Sequence, residues 1–213
     1  TAQVAKLTSD QIVALTTSQA ATLSSSQVAS LTTVQLNAME TADLAKLSTT
    51  AITGLTTQQV ATLNTDSLAA LTTDQIPALS VEAIAALTTD QISTLTTDHI
   101  PELTDVQIAS LTVAQVAKLT TSQVEALTTA QIAAMEGVDV ASLTTAQIVA
   151  LSTDQVRALT ADQLAYLTTA QVAAIETTDI AALKTSQVAA LGITSIAALT
   201  TDQIVALTTD QIG

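Results

Sequence analysis

The chain of 213 residues has no cysteine, tryptophan or phenylalanine, one tyrosine, four glycines and two prolines. Without cysteine there is neither a disulfide framework nor thiolate chemistry. Without large aromatic side chains the chain lacks the residues that usually anchor a globular core. The apolar share is nevertheless 48%, which is too high for a disordered chain. A regular arrangement must therefore bury alanine, leucine, isoleucine and valine.

Positive charge and long hydrophobic runs are also scarce. Five lysines and arginines stand against nineteen acidic residues, which gives a net charge of −14. The cations are scattered singly, whereas phosphate backbones and anionic membrane surfaces are bound by clusters of lysine and arginine. Threonine, glutamine and aspartate interrupt every apolar stretch before the roughly 20 residues that a membrane span needs. We therefore expect neither a nucleic-acid partner nor membrane insertion.

What the sequence has in abundance is an eight-residue repeat, as in LTTDQIVA near the carboxyl terminus. Position 1 of this octad recurs 26 times from Leu7 to Leu207 without an insertion or deletion, and we number the octads 1 to 26 accordingly. Position 1 is leucine except at Met39, Met135 and Ile175. A register this strict indicates a single uninterrupted array over 1–213, with a partial octad before Leu7, and we expect it to belong to a longer array.

A continuous α-helix does not fit a period of eight residues. The apolar pair at positions 1 and 6 would drift by about 80° per octad around an ideal helix. Supercoiling absorbs periods near 3.5 or 3.67 residues per turn, not a period of about 4. A β-solenoid stays open as the alternative, although strands typically show period-two alternation between glycine, asparagine or proline turns.

The octad contains a signal for the start of a helix. In L-T-x-x-Q-I, threonine and glutamine form a capping box, and the flanking leucine and isoleucine form a hydrophobic staple. Position 2 is threonine, serine or asparagine in 21 of 26 octads, and position 5 is glutamine in 18. The sequence therefore predicts an elongated all-α solenoid with one very short helical turn per octad, stabilised by stacking on neighbouring steps. Pro77 and Pro101, at position 7, predict turns close to a 3₁₀ helix, and alanine at positions 7 and 8 lets backbones approach closely.

Three octads replace the capping threonine by glutamate and the glutamine by aspartate. Carboxylates three residues apart suggest a calcium ligand pair or an acid/base couple of the glycosidase type. The alternative is structural, with aspartate capping a shifted turn and glutamate in the linker. Each pair offers too few oxygens for a metal cage, and spacings of 12 and 5 octads prevent all three pairs from sharing one column. We therefore expect no metal, cofactor or catalytic site, but keep as candidates Glu40, Asp43, Glu136, Asp139, Glu176 and Asp179.

The single histidine, His99, replaces the capping glutamine in LTTDHI. Nucleophilic catalysis needs a serine, threonine or cysteine beside a base, and one histidine does not build a histidine-rich metal site. We interpret His99 as a substitute cap or an exposed side chain and predict that the chain is not an enzyme. Threonine occupies position 3 in 18 of 26 octads, which predicts a hydroxyl ladder similar to those of ice-binding proteins.

Over its whole length the chain is similar to the LTTxQ[IV]xAL tracts of very large, acidic, cysteine-free bacterial exported and cell-surface proteins. This resemblance implies an extracellular location on a bacterial surface and a mechanical role. Our first hypothesis is a structural or adhesive module that acts as a stalk, filament or surface-layer element. Its expected partners are further copies, joined end to end or laterally, and a cell-surface or matrix component. The alternative is a binding module that uses a threonine-lined face for ice or a glycan.

Overall fold

Every octad forms one short helix in the computed structural model, which describes residues 3–212. The described residues contain 24 α-helices, three 3₁₀ helices and no strand. The all-α prediction is therefore confirmed, and the β-solenoid alternative is wrong. None of the described helices has the length and apolarity needed to cross a membrane.

The chain divides into two compact units, Thr1–Ser110 and Leu111–Gly213, and the single array over 1–213 remains a prediction. The helices of the first unit are Val4–Lys6, Ser9–Val13, Thr17–Ala20, Ser25–Ser30, Thr33–Ala38, Thr41–Leu44, Thr49–Ile52, Thr57–Thr62, Thr65–Ala69, Thr73–Ala78, Val81–Ala85, Thr89–Thr94, Ile100–Glu102 and Asp105–Ala109. Those of the second unit are Val113–Val116, Thr121–Ala126, Thr129–Ala134, Gly137–Ser142, Thr145–Val149, Thr153–Ala158, Ala161–Tyr166, Thr169–Ala174, Thr177–Ala182, Thr185–Ala190, Ile193–Ala197, Thr201–Ala206 and Thr209–Ile212.

The predicted capping box starts these helices. At Thr56, where the backbone is extended, the side-chain oxygen accepts from the Gln59 N–H at 3.2 Å. The Thr56 N–H in turn donates to Gln59 Oε1 at 2.8 Å. Because the same pair recurs one octad later in most of the array, each helix ends before it completes two turns.

Three octads make one coil of the solenoid within each unit. In the first unit the helix Thr57–Thr62 packs on Val81–Ala85, and in the second Thr145–Val149 packs on Thr169–Ala174. The two helices of each pair lie three octads apart in the sequence. Each octad therefore supplies one side of a three-sided coil, a number that the sequence alone did not reveal.

The core is a narrow column of position 1 and position 6 side chains. In the interior coils of each unit the position 6 residues, such as Ile76 and Ile100, are fully buried. Position 1 leucines such as Leu31 are almost fully buried. Burying each such side chain contributes roughly 1.5–3 kcal/mol. Since one leucine and one isoleucine or valine per step fill this column, the fold needs no large aromatic residue.

The coils approach each other closely between position 8 of one octad and position 3 of the octad three steps earlier. A Cβ on Gly54 would lie 2.6 Å from the carbonyl carbon of Ser25. In the second unit the glycine is at the other position of this pair: Gly137 lies at position 3, and the ring of Tyr166, at position 8, lies over it. At these two contacts, a glycine at one position leaves room for the residue at the other.

Both prolines lie in 3₁₀ helices, as predicted from their position in the octad. Pro77 lies inside Thr73–Ala78, and Pro101 lies in Ile100–Glu102. Proline cannot donate the i→i−4 hydrogen bond of an α-helix. A short 3₁₀ helix tolerates that loss because packing against neighbouring octads stabilises it.

Candidate functional site

The glutamine at position 5 does more than cap its own helix. While Gln59 Oε1 accepts from the cap, Gln59 Nε2 donates to the carbonyl oxygens of Val28 and Leu31 in the preceding coil, at 2.9 and 2.7 Å. The side chain is buried. One glutamine thus fixes the start of a helix and joins that helix to the coil beneath it.

This contact recurs through both units at one constant sequence offset, and its Nε2–O distance varies only between 2.6 Å and 2.8 Å. We call the set the glutamine ladder. In the first unit it joins Gln35 to Leu7, Gln59 to Leu31, Gln75 to Leu47, Gln91 to Leu63 and Gln107 to Leu79. In the second unit it joins Gln147 to Leu119, Gln155 to Leu127, Gln163 to Met135, Gln171 to Leu143, Gln187 to Leu159, Gln203 to Ile175 and Gln211 to Leu183.

The sequence predicted that the glutamine at position 5 caps its own helix, but not that it joins this helix to the preceding coil. A capping box accepts glutamate as readily as glutamine, yet position 5 is never glutamate in the 26 octads. Glutamate has the capping oxygen but not the NH₂ donor. The absence of glutamate was therefore the signal that the NH₂ group of the glutamine has a function besides capping.

His99 occupies a rung of the ladder, which confirms its interpretation as a substitute cap. The ring is buried. The Thr96 N–H donates to Nδ1 at 3.3 Å, and Nε2 lies 2.8 Å from the carbonyl oxygen of Leu71, at the same sequence offset as the glutamine contacts. The neutral tautomer with its proton on Nε2 satisfies both partners, so the ring reproduces the two functions of the glutamine amide.

The three carboxylate octads keep the ordinary register, so the shifted turn considered above is wrong. Glu40, Glu136 and Glu176 remain at the N-cap, where their side chains make no capping hydrogen bond. The aspartates remain at position 5 and are buried, whereas the glutamates are exposed. The two carboxylates of each pair therefore lie in different surroundings, one in solvent and one in the glutamine position.

The buried aspartates differ in their partners. Asp43 Oδ2 is buried without a hydrogen-bond partner. Burial raises the pKa of Asp43, and the negative charge of Glu40 raises it further. Burial also raises the pKa of Asp139, although a hydrogen bond from the Glu136 backbone opposes that shift. Asp179 Oδ1 accepts from the hydroxyl of Thr153 at 2.6 Å.

The structure does not bring the candidate carboxylates together within a unit. Asp139 and Asp179 both lie in the second unit but are five octads apart, which is not a multiple of the three octads in a coil. Within residues 3–212, no group of three or more histidine, cysteine or acidic side chains is placed to hold a metal ion. A buried aspartate here can accept a proton or a hydrogen bond.

A polar cleft of about 440 Å³ lies beside the first carboxylate octad. Asn37 forms one of its walls, where its amide donates to the Thr62 carbonyl oxygen at 2.8 Å and accepts from the Asn64 N–H at 2.7 Å. The cleft is lined by Asn37, Met39, Glu40, Thr41, Ala42, Asn64, Asp66 and Ser67. Its lining is open and mostly polar, so it offers hydrogen-bonding groups rather than an apolar pocket.

Comparison with known families gives one result that covers most of the chain. The model of the ALTTAQ repeat matches six segments, at residues 36–73, 55–81, 68–105, 106–137, 132–169 and 172–209. No curated protein matches the chain significantly. The six matches together cover most of the octad array, and they show that the chain belongs to the ALTTAQ repeat family.

Proposed function

We propose that the chain is a structural repeat module of a bacterial extracellular or surface protein, used as a stalk, filament or surface-layer element. The observation that supports this role is the glutamine ladder, since it joins successive coils by the same contacts throughout each unit. In such an array each step contacts only its neighbours, so stability and length grow together with the number of repeats. A module of this kind supplies a defined spacing rather than a reaction, and we propose that it is not an enzyme.

The proposed location and partners follow from composition and resemblance. The chain is acidic and free of cysteine, like the bacterial exported proteins whose octad tracts it resembles. Its outer surface repeats every three octads, so weak contacts with a cell-surface or matrix component would add through effective concentration. Association between copies is the second kind of contact that a repeated surface favours.

Electron microscopy of the purified chain, together with antibody labelling of intact cells of the source organism, tests this function. We expect particles of constant width that lengthen with protein concentration, and labelling without permeabilisation of the cells. Label that appears only after permeabilisation contradicts the surface location. Single copies that stay dispersed at every concentration contradict assembly, but they leave the location open.

A binding module remains the second candidate, because the polar cleft beside Glu40 offers amide, hydroxyl and carboxylate groups that suit a glycan. Glycan-array binding that is lost in Glu40→Gln, and kept in Glu82→Gln outside the cleft, would favour it. Ice binding is less well supported. Position 3 threonines of successive coils are separated by helix packing distances of about 8–10 Å, whereas strand ladders repeat at about 4.8 Å. Thermal hysteresis of the purified chain measures that activity directly.

A further inference from the structure

We infer that the polar cleft beside Glu40 binds an amino sugar with a free ammonium group, at the point where octad 8 lacks its ladder glutamine. The inference rests on the binding-module candidate proposed above and deepens it, because it specifies the ligand class and the contacts. The whole cleft lies within the first unit, so the site does not depend on association between copies.

Octad 8 interrupts the glutamine ladder between two covered coils. Its position 5 residue is Ser67, and the residue at the ladder offset is Met39. Serine has no NH₂ group, and the Met39 carbonyl oxygen receives no side-chain donor from residues 3–212. The helices of octads 5 and 8 pack on each other and also on the helices of octads 2 and 11. The missing rung is therefore an interior feature of the array.

The hydroxyl of Ser67 is available to a ligand. Ser67 is only 2% exposed and lines the cleft, and its N–H donates to Asn64 Oδ1 at 2.7 Å. Its hydroxyl has no hydrogen-bond partner among residues 3–212. Buried polar groups in folded proteins normally have a partner. A hydroxyl and a carbonyl oxygen without side-chain partners, on two residues that line one cleft, therefore indicate a site for a ligand that donates hydrogen bonds.

The wall of the cleft is an asparagine pair that keeps one donor free. Asn37 Nδ2 donates to the carbonyl oxygens of Thr33 and Thr62 at 3.0 and 2.8 Å. Asn37 Oδ1 accepts from Asn64 N–H and from Asn64 Nδ2, at 2.7 and 3.2 Å. Asn37 thus uses both of its amide hydrogens, whereas Asn64 uses only one of its two within the described chain. The remaining hydrogen can be donated to a hydroxyl oxygen of a ligand.

The rim of the cleft selects a cation. Glu40 and Asp66 are exposed lining residues, and no lysine or arginine lines the cleft. Calcium, which takes about 6–8 oxygen ligands, fits poorly, because residues 3–212 hold no group of three acidic or metal-ligating side chains. The volume of about 440 Å³ is instead that of a site for an organic molecule. An ammonium group on a hydroxylated ring supplies the charge, the donors and the acceptors together.

A neighbouring groove shows what an intact rung does. Between octads 4 and 7 lies a groove of similar size, about 390 Å³, with no acidic residue in its lining. Gln59 lines it and donates to the Leu31 carbonyl oxygen at 2.7 Å. This groove therefore has neither the vacant carbonyl nor the negative charge, and we expect the amino sugar to bind only beside octads 5 and 8.

Isothermal titration calorimetry with the full chain tests the site. The probe is a linear tetramer of glucosamine, and tetramers of N-acetylglucosamine and of glucose are matched probes without the charge. At mildly acidic pH the amines are protonated and the exposed carboxylates stay ionised. We expect the glucosamine tetramer to bind at a single site, about tenfold or more tighter than either matched probe. Added salt should weaken its binding, because exposed charges are screened.

Two variants test the contacts, and circular dichroism confirms that each is folded. Ser67→Gln introduces the residue that position 5 has in most octads, and it should abolish binding because its amide would occupy the Met39 carbonyl oxygen. Asp66→Asn should weaken binding about tenfold. Asp90→Asn is the matched control and should bind normally, since Asp90 is also an exposed first-turn aspartate but does not line the cleft.

Several results would overturn the inference in distinguishable ways. Equal affinity for the uncharged tetramers shows that no ammonium is recognised, and equal affinity for a linear diamine shows that no sugar is. Calcium binding that Asp66→Asn removes, without sugar binding, makes the cleft a metal site. Sugar binding that persists in Ser67→Gln places the ligand elsewhere.

Failure of the inference is separable from failure of the proposed functions. Neutral glycans that bind through Glu40, without binding of the glucosamine tetramer, keep the binding-module candidate and refute the amino sugar. A chain that binds none of the probes refutes the site, while electron microscopy and cell labelling continue to test the structural module.

Discussion

Gln91 and Asp43 occupy the same octad position in the same unit and are equally buried, with 3% and 2% of their surfaces exposed. Gln91 Nε2 donates to the carbonyl oxygens of Val60 and Leu63 at 2.8 and 2.7 Å. Asp43 Oδ2 has no partner, and the carbonyl at the ladder offset, that of Leu15, receives no side-chain donor from the described residues. The comparison teaches that a polar side chain at this position contacts the carbonyl oxygens of the preceding coil only if it supplies a hydrogen-bond donor.

The difference between the two octads is therefore a missing contact between coils. A carboxylate can act only as an acceptor until it takes up a proton, so ionised Asp43 cannot donate a hydrogen bond to a main-chain carbonyl as glutamine does. Burial without a partner favours the protonated form. We therefore expect stacking at the octads of Asp43 and Asp139, where burial raises the pKa of the aspartate, to depend on pH.

The most direct test of this comparison is to place aspartate at position 5 of an octad that has glutamine there. We expect Gln91→Asp to lower the free energy of unfolding by about 3 kcal/mol or more, because the Val60 and Leu63 carbonyl oxygens lose the Gln91 amide and a carboxylate is buried. Urea denaturation at neutral pH measures the change.

The control is Gln11→Asp, in the first coil, where the side chain is exposed and its Nε2 group has no partner in the described chain. That variant should lose only part of a capping interaction, about 1 kcal/mol or less. Equal losses at both positions would mean that the glutamine acts through capping alone and that the ladder contributes nothing.

The reverse substitution sharpens the comparison. Asp43→Gln places an NH₂ donor next to the carbonyl oxygens of the preceding coil and removes a buried carboxylate. We expect the free energy of unfolding at neutral pH to rise by about 1–3 kcal/mol, measured by urea denaturation. Asp10→Gln, at an exposed position 4, is the control and should change it little. A stability unchanged by Asp43→Gln would show that the substituted side chain does not reach those carbonyls.

A third prediction concerns pH. Burial raises the pKa of Asp139 above its ordinary value of 3.8, so the folded state binds this proton more tightly than the unfolded state does. The resulting stabilisation is fully present below about pH 3.8 and is lost as the pH rises through the raised value. Asp139→Asn should remove this loss, so the difference in unfolding free energy between variant and chain should grow with pH. A difference independent of pH would contradict the expected titration.

The sequence was sufficient to predict the capping box and the short helix of the ordinary octad, but not the register of the three carboxylate octads. Thr56 and Gln59 are three residues apart, so their capping box is visible in the sequence, and the prolines set the limit on helix length. The number of octads per coil was not visible, because it depends on contacts between residues far apart in the chain, such as Gln59 and Leu31. The burial of Asp43 was missed for the same reason, since a carboxylate three residues from another resembles a solvated pair until the coil beneath is known.

The smallest effect is expected at Asp179, whose carboxylate accepts a hydrogen bond from a threonine hydroxyl. Thr153 donates its hydroxyl to Asp179 at 2.6 Å, and Thr17 occupies the equivalent position relative to Asp43 without supplying a partner to Asp43 Oδ2. Thr153→Val should therefore lower the free energy of unfolding by about 1 kcal/mol, whereas Thr17→Val should change it by a few tenths at most. Both threonines are exposed first-turn residues, so the effect of valine on the helix itself cancels in the difference. Equal effects in urea denaturation would show that the hydroxyl does not replace the missing amide, and that Asp179 interrupts the ladder as fully as Asp43 does.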